Sequence, residues 1–260
     1  MFDDLSEEDR KGLIYGAILG CVALGIIVAV FIGYMYGSKG YDKETLCEYD
    51  VIRPAHKVLL VDTTDELTVF HSKYIENDIR ELVVGSSMGS RFTVYLIEQK
   101  SGGLSEPVFD MCKPNSGENM NIIYENPKIA KRKFEEKFQE PLVALLLNLA
   151  DVEEQNTSPL VESVSDLFKL SAFDEQAGKR SIHLYSDLLQ NTDRASVYRS
   201  QPLPDIASCE STSIDINKIY VHVLGRAGKA QGLQNEALIV DWATYLGRCS
   251  SHVQFEKVRA

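Results

Sequence analysis

His56-Lys57-Val58-Leu59-Leu60-Val61-Asp62-Thr63-Thr64-Asp65-Glu66 is the stretch on which the fold turns. Val58 to Val61 is an unbroken apolar run with no polar alternation, the pattern of a strand covered on both faces in the middle of a parallel sheet. The strand ends in an acid, and the next four residues all carry side-chain oxygens. The chain therefore leaves the carboxyl end of a central strand through carboxylates and hydroxyls, at the edge where open parallel sheets collect their ligands.

Outward from this strand the pattern alternates. Over residues 65–84, Leu67, Phe70, Tyr74, Ile75, Ile79, Leu82 and Val83 share one helical face, and residues 85–89, with Gly85 and Gly89, stop the helix. Residues 91–98 read as a second strand, Gly102-Gly103 as a turn, 107–111 as a third strand in a hairpin with the second, and 114–126 as loop. Asn126-Pro127 opens a helix whose later part, 142–149, is strongly apolar and which Pro141 bends or divides.

A polar loop follows at 151–157, then a helix at 159–172 with Pro159 in its first position, and a strand at 180–186. A long loop at 191–214 contains Pro202 and Pro204. Strands at 218–224 and 252–258 enclose a helix at 231–247. Strands alternating with helices predict an α/β fold: a doubly wound, mostly parallel six-stranded sheet with one antiparallel hairpin strand.

Composition narrows the function classes. The 260 residues carry 27 Lys and Arg against 38 Asp and Glu, a net charge of -11. The dense basic patch, Lys128, Lys131, Arg132 and Lys133, sits beside Glu135 and Glu136. Nucleic acid, which demands clustered uncompensated cations, is excluded as an expected partner.

Residues 13–36 contain no charged side chain, which is long enough as a helix to cross a hydrocarbon core of about 30 Å. The apolar stretch exceeds the h-region of a signal peptide and no small-x-small cleavage site follows it, so an uncleaved membrane anchor is expected. The predicted organisation is a tail at 1–12, a transmembrane helix at 13–36, a linker at 37–54 and one domain at 55–260. Tyr34 and Tyr36 suit the interface, and Arg10, Lys11, Lys39 and Lys43 flank the span too evenly for the positive-inside rule to orient it.

Cys47, Cys112, Cys209 and Cys249 lie beyond the span and allow either two disulfides, in any of three pairings, or buried free thiols. Cys21, within the span, reads as an apolar filler. Gly12, Gly16 and Gly20 recur at every fourth position, as do Gly33 and Gly37, and such a stripe lets two membrane helices approach closely. Self-association of the anchor through Gly12, Gly16 and Gly20 is the expectation.

Three segments converge on the carboxyl edge of the predicted sheet: Asp62 and Thr64 after the first strand, Asn156-Thr157-Ser158-Pro159 before a helix, and Ser186-Asp187 after the fourth strand. Carboxylates and hydroxyls without His or Cys form a hard-oxygen set, suited to Mg2+ or Mn2+. The alternative is that Asp62 and Asp187 only cap loops or helices.

In this arrangement the residues resemble the von Willebrand factor A-type (VWA) domain. That family builds a metal-ion-dependent adhesion site (MIDAS) from an Asp-x-Ser-x-Ser loop after the first strand, a Thr before a later helix and an Asp after the fourth strand. Asp62-x-Thr64 resembles the loop, Thr157-Ser158-Pro159-Leu160 the Thr segment, and Tyr185-Ser186-Asp187 the last element. Asp241-Trp242-Ala243-Thr244-Tyr245-Leu246 followed by Val253-Gln254-Phe255 is similar to the closing helix and strand of bacterial members. The resemblance implies Asp62, Thr64, Ser158 and Asp187 as metal ligands, with Thr157 as the alternative hydroxyl. Glu66 departs from the family pattern, which places a hydroxyl there: it either adds a further carboxylate ligand or marks a site that no longer binds metal.

Other candidates yield to simpler readings. His56, His71, His183, His222 and His252 show no ligand spacing, so no zinc site is expected. Ser186-Asp187 and His183 form no hydrolase triad, because a strand puts residues 183 and 186 on opposite faces. Gly225-Arg226-Ala227-Gly228-Lys229 lacks P-loop spacing and reads as a strand-to-helix turn.

The expected function is recognition rather than catalysis: a membrane-anchored VWA-like module that binds protein partners and assembles or scaffolds an envelope complex. The resemblance and the cysteines place it in a bacterial inner membrane with its domain in the periplasm. Two alternatives use the same residues, a metal-dependent hydrolase built on the carboxylate cluster and a structural subunit whose metal site has decayed.

Overall fold

Apolar runs become strands in a computed structural model that describes residues 7–36, 40–118, 120, 126–149, 155–169, 173, 177–204 and 216–259. Cys209, residues 1–6, 37–39 and 151–154, and parts of the loops at 114–126 and 191–214 lie outside the described residues. The chain divides into two units, Met1–Tyr41 and Asp42–Ala260.

The first unit is one helix, α1 (Glu7–Tyr36). Its segment Lys11–Gly33 is long and apolar enough to cross a membrane, and none of it is buried within the structure. Leu19, Leu24, Val30 and Phe31 are exposed, an arrangement costly in water and favourable in lipid. Gly12, Gly16 and Gly20 have open space where a Cβ would stand.

The second unit is a six-stranded sheet of β1 (His56–Asp62), β2 (Arg91–Ile97), β3 (Phe109–Cys112), β4 (Arg180–Ser186), β5 (Lys218–Leu224) and β6 (Val253–Val258), in the order β3-β2-β1-β4-β5-β6. All neighbours pair parallel except β2 and β3, which are antiparallel. The chain winds outward from β1 to β3, returns to β4 beside β1, and winds the other way. This is the expected doubly wound, mostly parallel sheet, with its topological switch between β1 and β4. Val61 lies opposite Tyr185, so Asp62 meets the segment that carries Ser186 and Asp187.

β1 explains the two cores. Val58 and Leu60 face one side with Val164, Leu167, Ile182, Leu184 and Trp242, while Leu59 and Val61 face the other with Ile75, Ile79, Phe92, Phe138 and Leu142. A period of two with both faces buried requires the continuous apolar run seen in the sequence. Helices α5 (Leu160–Lys169) and α6 (Glu236–Leu246) cover the first face; α2 (Val69–Val84) and α4 (Glu140–Asn148) cover the second.

Local chemistry sets the helix boundaries. α2 starts later than the apolar pattern suggests, because the Thr68 hydroxyl accepts a hydrogen bond from the His71 amide at 3.1 Å and so caps the helix there. Asn235 does the same for α6 through the Leu238 amide at 3.0 Å. Pro141 has no amide to donate to the preceding turn. Between α3 (Pro127–Phe134) and α4 the helix widens into a π-turn at Glu135–Gln139, immediately before that proline.

Cys47 and Cys112 form a disulfide, and the Cys112 amide donates to the Thr45 carbonyl at 2.7 Å. Cys249 is disulfide-bonded as well. The polar segment expected to be a linker therefore joins the compact unit from Asp42 onward, held by covalent and backbone bonds that its composition conceals.

Candidate functional site

Asp62 ends β1 with its side chain almost wholly buried. Its Oδ1 accepts from the Thr64 amide at 3.1 Å and the Thr64 hydroxyl at 2.7 Å, while Oδ2 accepts from the Ser186 hydroxyl at 2.7 Å. The loop that follows is anchored from below, since the Thr63 hydroxyl donates to the Ile97 carbonyl at 3.0 Å.

Asp187 follows β4 and is 4% exposed. Its Oδ1 accepts from the Leu189 amide at 2.8 Å, and Leu188 between them takes a left-handed φ of 65°. A bulky residue adopts that conformation only when its surroundings impose it. Here the Leu188 amide donates to Ser186 Oγ at 2.9 Å, and its carbonyl accepts from Trp242 Nε1 at 3.0 Å.

The third segment is stitched to the other two. The Gln155 amide donates to the Thr64 carbonyl at 2.7 Å, and Ser158 and Asn191 exchange backbone hydrogen bonds at 2.8 and 3.0 Å. Ser158 is buried with an Oγ that has no hydrogen-bond partner; Thr157 beside it is half-buried. Thr64, Asp65, Asn156, Thr157, Ser158 and Tyr198 line an open cleft of about 310 Å³ above the switch point.

Electrostatics make this edge costly. Burial raises the Asp62 carboxyl above its ordinary range, opposed by the Thr64 and Ser186 hydrogen bonds. Burial raises Asp187 further, reinforced by the charges of Asp62 and Asp65 and opposed by the Leu189 amide and Arg226. Arg226, in the turn after β5, provides the compensating cation. Its Nη2 donates to Asp65 Oδ1 at 2.8 Å, its Nε lies 3.4 Å from Asp187 Oδ2, and its Nη1 donates to the Glu66 carbonyl at 3.4 Å.

Gln234 holds that turn in place, accepting from the Arg226 amide at 2.7 Å and donating to the carbonyls of Asp187 and Leu224 at 2.9 and 2.8 Å. Of the residues marked in the sequence, Asp62, Thr64, Ser158 and Asp187 are buried at the edge and Thr157 lies at the cleft wall. Glu66 is exposed and meets the cluster only through its backbone carbonyl. Sequence reading missed Arg226 and Asp65; an arginine in a short turn after a strand, facing several acids at the next strand ends, was the signal available.

A hard divalent ion fits part of this donor set. Ser158 Oγ and Asp187 Oδ2 are buried oxygens without a hydrogen-bond partner. The Asp62 carboxylate, by contrast, is already occupied by hydroxyls, and Arg226 competes for Asp187.

A second constellation was not expected. Asp78, His183 and His222 each place one ligand atom within 4.8 Å of the other two. Histidines without ligand spacing in the sequence are brought to this proximity by the pairing of β4 and β5.

No known protein-family profile and no curated protein sequence matches the chain. The chain is similar to solved structures at low identity and low TM-score. One is the ArnB paralog VWA2 from Sulfolobus acidocaldarius, 12% identical with a TM-score of 0.39, the match covering 79% of this chain and 41% of that one. Another is the conserved hypothetical protein BatB from Bacteroides thetaiotaomicron, 10% identical with a TM-score of 0.41, covering 79% and 90%. A third is an aerotolerance-related membrane protein from Bacteroides fragilis, 13% identical with a TM-score of 0.38, covering 78% and 91%. The chain spans less than half the length of the first of these.

Proposed function

We propose that this chain is a membrane-anchored, VWA-like protein-binding module that recognises its partner at the carboxyl edge of β1 and β4. The observation that carries the reading is the pair of buried oxygens without hydrogen-bond partners, Ser158 Oγ and Asp187 Oδ2, beside an open polar cleft. An unpartnered buried hydroxyl such as Ser158 Oγ costs about 1–3 kcal/mol, a penalty that a ligand at the edge would remove, while Asp187 Oδ2 is met in part by Arg226 Nε at 3.4 Å.

The ligand takes one of two forms. A divalent ion, Mg2+ or Mn2+, would be held by Asp62, Thr64, Ser158 and Asp187, with Glu66 or Thr157 as further donors, and would supply an open position for a partner carboxylate. Otherwise the partner itself engages Arg226 and the acids, and the edge works without metal. Recognition rather than hydrolysis is favoured because, among the described residues, no phosphate-binding loop stands beside the acids. The disulfides support a domain on the oxidising side of a bacterial inner membrane, in the periplasm, where the module would scaffold an envelope complex.

Affinity capture of the full chain from its own membrane tests this reading. The expected result is a protein partner retained in Mg2+ by the wild type and lost by Asp62→Ala/Asp187→Ala. Retention of the same partners by both would instead support the structural-subunit alternative.

A further inference from the structure

On the α2 side of the sheet, α6 does not cover β5 and β6, because it packs on the opposite face; Leu224 and Val258 at the strand ends join the α2-side core. Among the described residues, the connection from β4 to β5 carries no α-helix. An open groove of about 690 Å³ runs there, lined by Lys57, Asp78, His183, Tyr220, His222 and Glu256.

Strand register sets His183 opposite Tyr220 and His222 opposite Tyr185, so the two histidines are diagonal neighbours on one face. They are 3% and 4% exposed, and His183 Nδ1 and His222 Nε2 have no hydrogen-bond partner. Asp78 approaches from α2, with Oδ2 3.6 Å from His222 Nε2. A second layer steadies these groups. The Tyr74 hydroxyl lies 2.9 Å from His222 Nδ1 with Glu256 at 3.7 Å, and the Tyr185 hydroxyl donates to Asp78 Oδ2 at 2.6 Å. Outer contacts of this kind orient metal ligands and select the nitrogen left free to bind.

We propose that Asp78, His183 and His222 form a binding site for a first-row divalent transition ion, zinc fitting best, with its remaining position open to the groove. Two imidazoles and one carboxylate are a softer set than the oxygens at the β1 and β4 edge, and three protein ligands leave a tetrahedral zinc one exchangeable position. Zinc–ligand distances of about 2.0–2.2 Å imply ligand separations of about 3.3 Å. Closure from the 4.8 Å envelope requires the two imidazoles to shift against the rings they stack on, Tyr220 for His183 and Tyr185 for His222.

Burial, with the charges of Lys57 and His222, pushes His183 down to about 3 and so keeps its imidazole neutral, the form that binds metal. Lys57, whose charge also interacts with Asp78, lines the same groove. Ion binding would satisfy both unpartnered imidazole nitrogens at once.

The test is titration of the tag-free full chain in detergent with Zn2+, followed by calorimetry, and with Co2+, followed by visible d–d absorption. The expected result is one ion per chain, retained in Asp62→Asn/Asp187→Asn, and weakened at least about 100-fold in His183→Gln and in His222→Gln. X-ray absorption of the zinc-loaded wild type, which requires no variant to fold, should show two imidazole ligands. No uptake of either ion, sulfur ligation, or undiminished uptake in both histidine variants overturns the proposal.

Discussion

Arg226 lays its Nε 3.4 Å from Asp187 Oδ2 and places Nη2 2.8 Å from Asp65 Oδ1, so a side chain supplies positive charge where the VWA resemblance leads one to expect a metal. Arg226→Gln should leave the buried acids uncompensated and lower stability by about 3 kcal/mol in chelator. If an ion and Arg226 compete for Asp187, Mn2+ will restore part of that loss in the variant and do less for the wild type. Melting curves with and without Mn2+ measure both effects, and a variant indifferent to Mn2+ would remove the competition.

Asp110 offers a test independent of the site. Burial alone would raise its carboxyl, but the Arg91 hydrogen bonds and charge and the Thr93 hydroxyl outweigh it, leaving Asp110 below 3.8. Arg91 reaches it with two hydrogen bonds, at 2.7 and 2.6 Å. A depressed carboxyl contributes stability that is present above 3.8 and lost as pH falls through the folded-state value. Asp110→Asn should therefore cost about 1–3 kcal/mol at pH 7, and the difference should vanish in strong acid. Denaturant melts at the two pH values decide it, and an equal cost at both would refute the charge argument.

Cys47 and Cys112 close a loop across a sequence separation of 65, which by chain entropy constrains the unfolded state by about 4 kcal/mol. Non-reducing peptide mapping of protein taken from its native membrane should recover this pair linked. Recovery of both thiols free would count against an oxidising compartment for the domain.

For the anchor, Gly16→Ile and Gly20→Ile should abolish self-association in a bilayer dimerisation reporter, because the open positions at these glycines are what permits close helix approach. An unchanged signal would remove the glycine stripe as an interface.

Much of the fold was legible because it is local. Strands β1, β4 and β5 match their apolar runs at both ends, since alternate residues such as Ile182, Leu184, Val221 and Val223 are buried against the helices. The starts of α2 and α6 were less legible, because Thr68 and Asn235 cap by hydroxyl and amide contacts that periodicity does not report. Asp62 and Asp187 stood out because strand ends can be read from the pattern. Arg226 and the trio of Asp78, His183 and His222 did not, because their meeting depends on strand register and on a turn fixed by Gln234.

The central claim is recognition at the β1 and β4 edge, and site-specific photo-crosslinking in the native membrane tests it most directly. A crosslinking residue replacing Asn156 in the cleft, compared with one replacing the exposed Val84 at the end of α2, reports which surface meets a partner. The predicted result is a discrete protein adduct at position 156, absent at 84 and lost in Asp62→Ala/Asp187→Ala. An adduct at 84 but not at 156, or one at 156 that persists without the two acids, would contradict it.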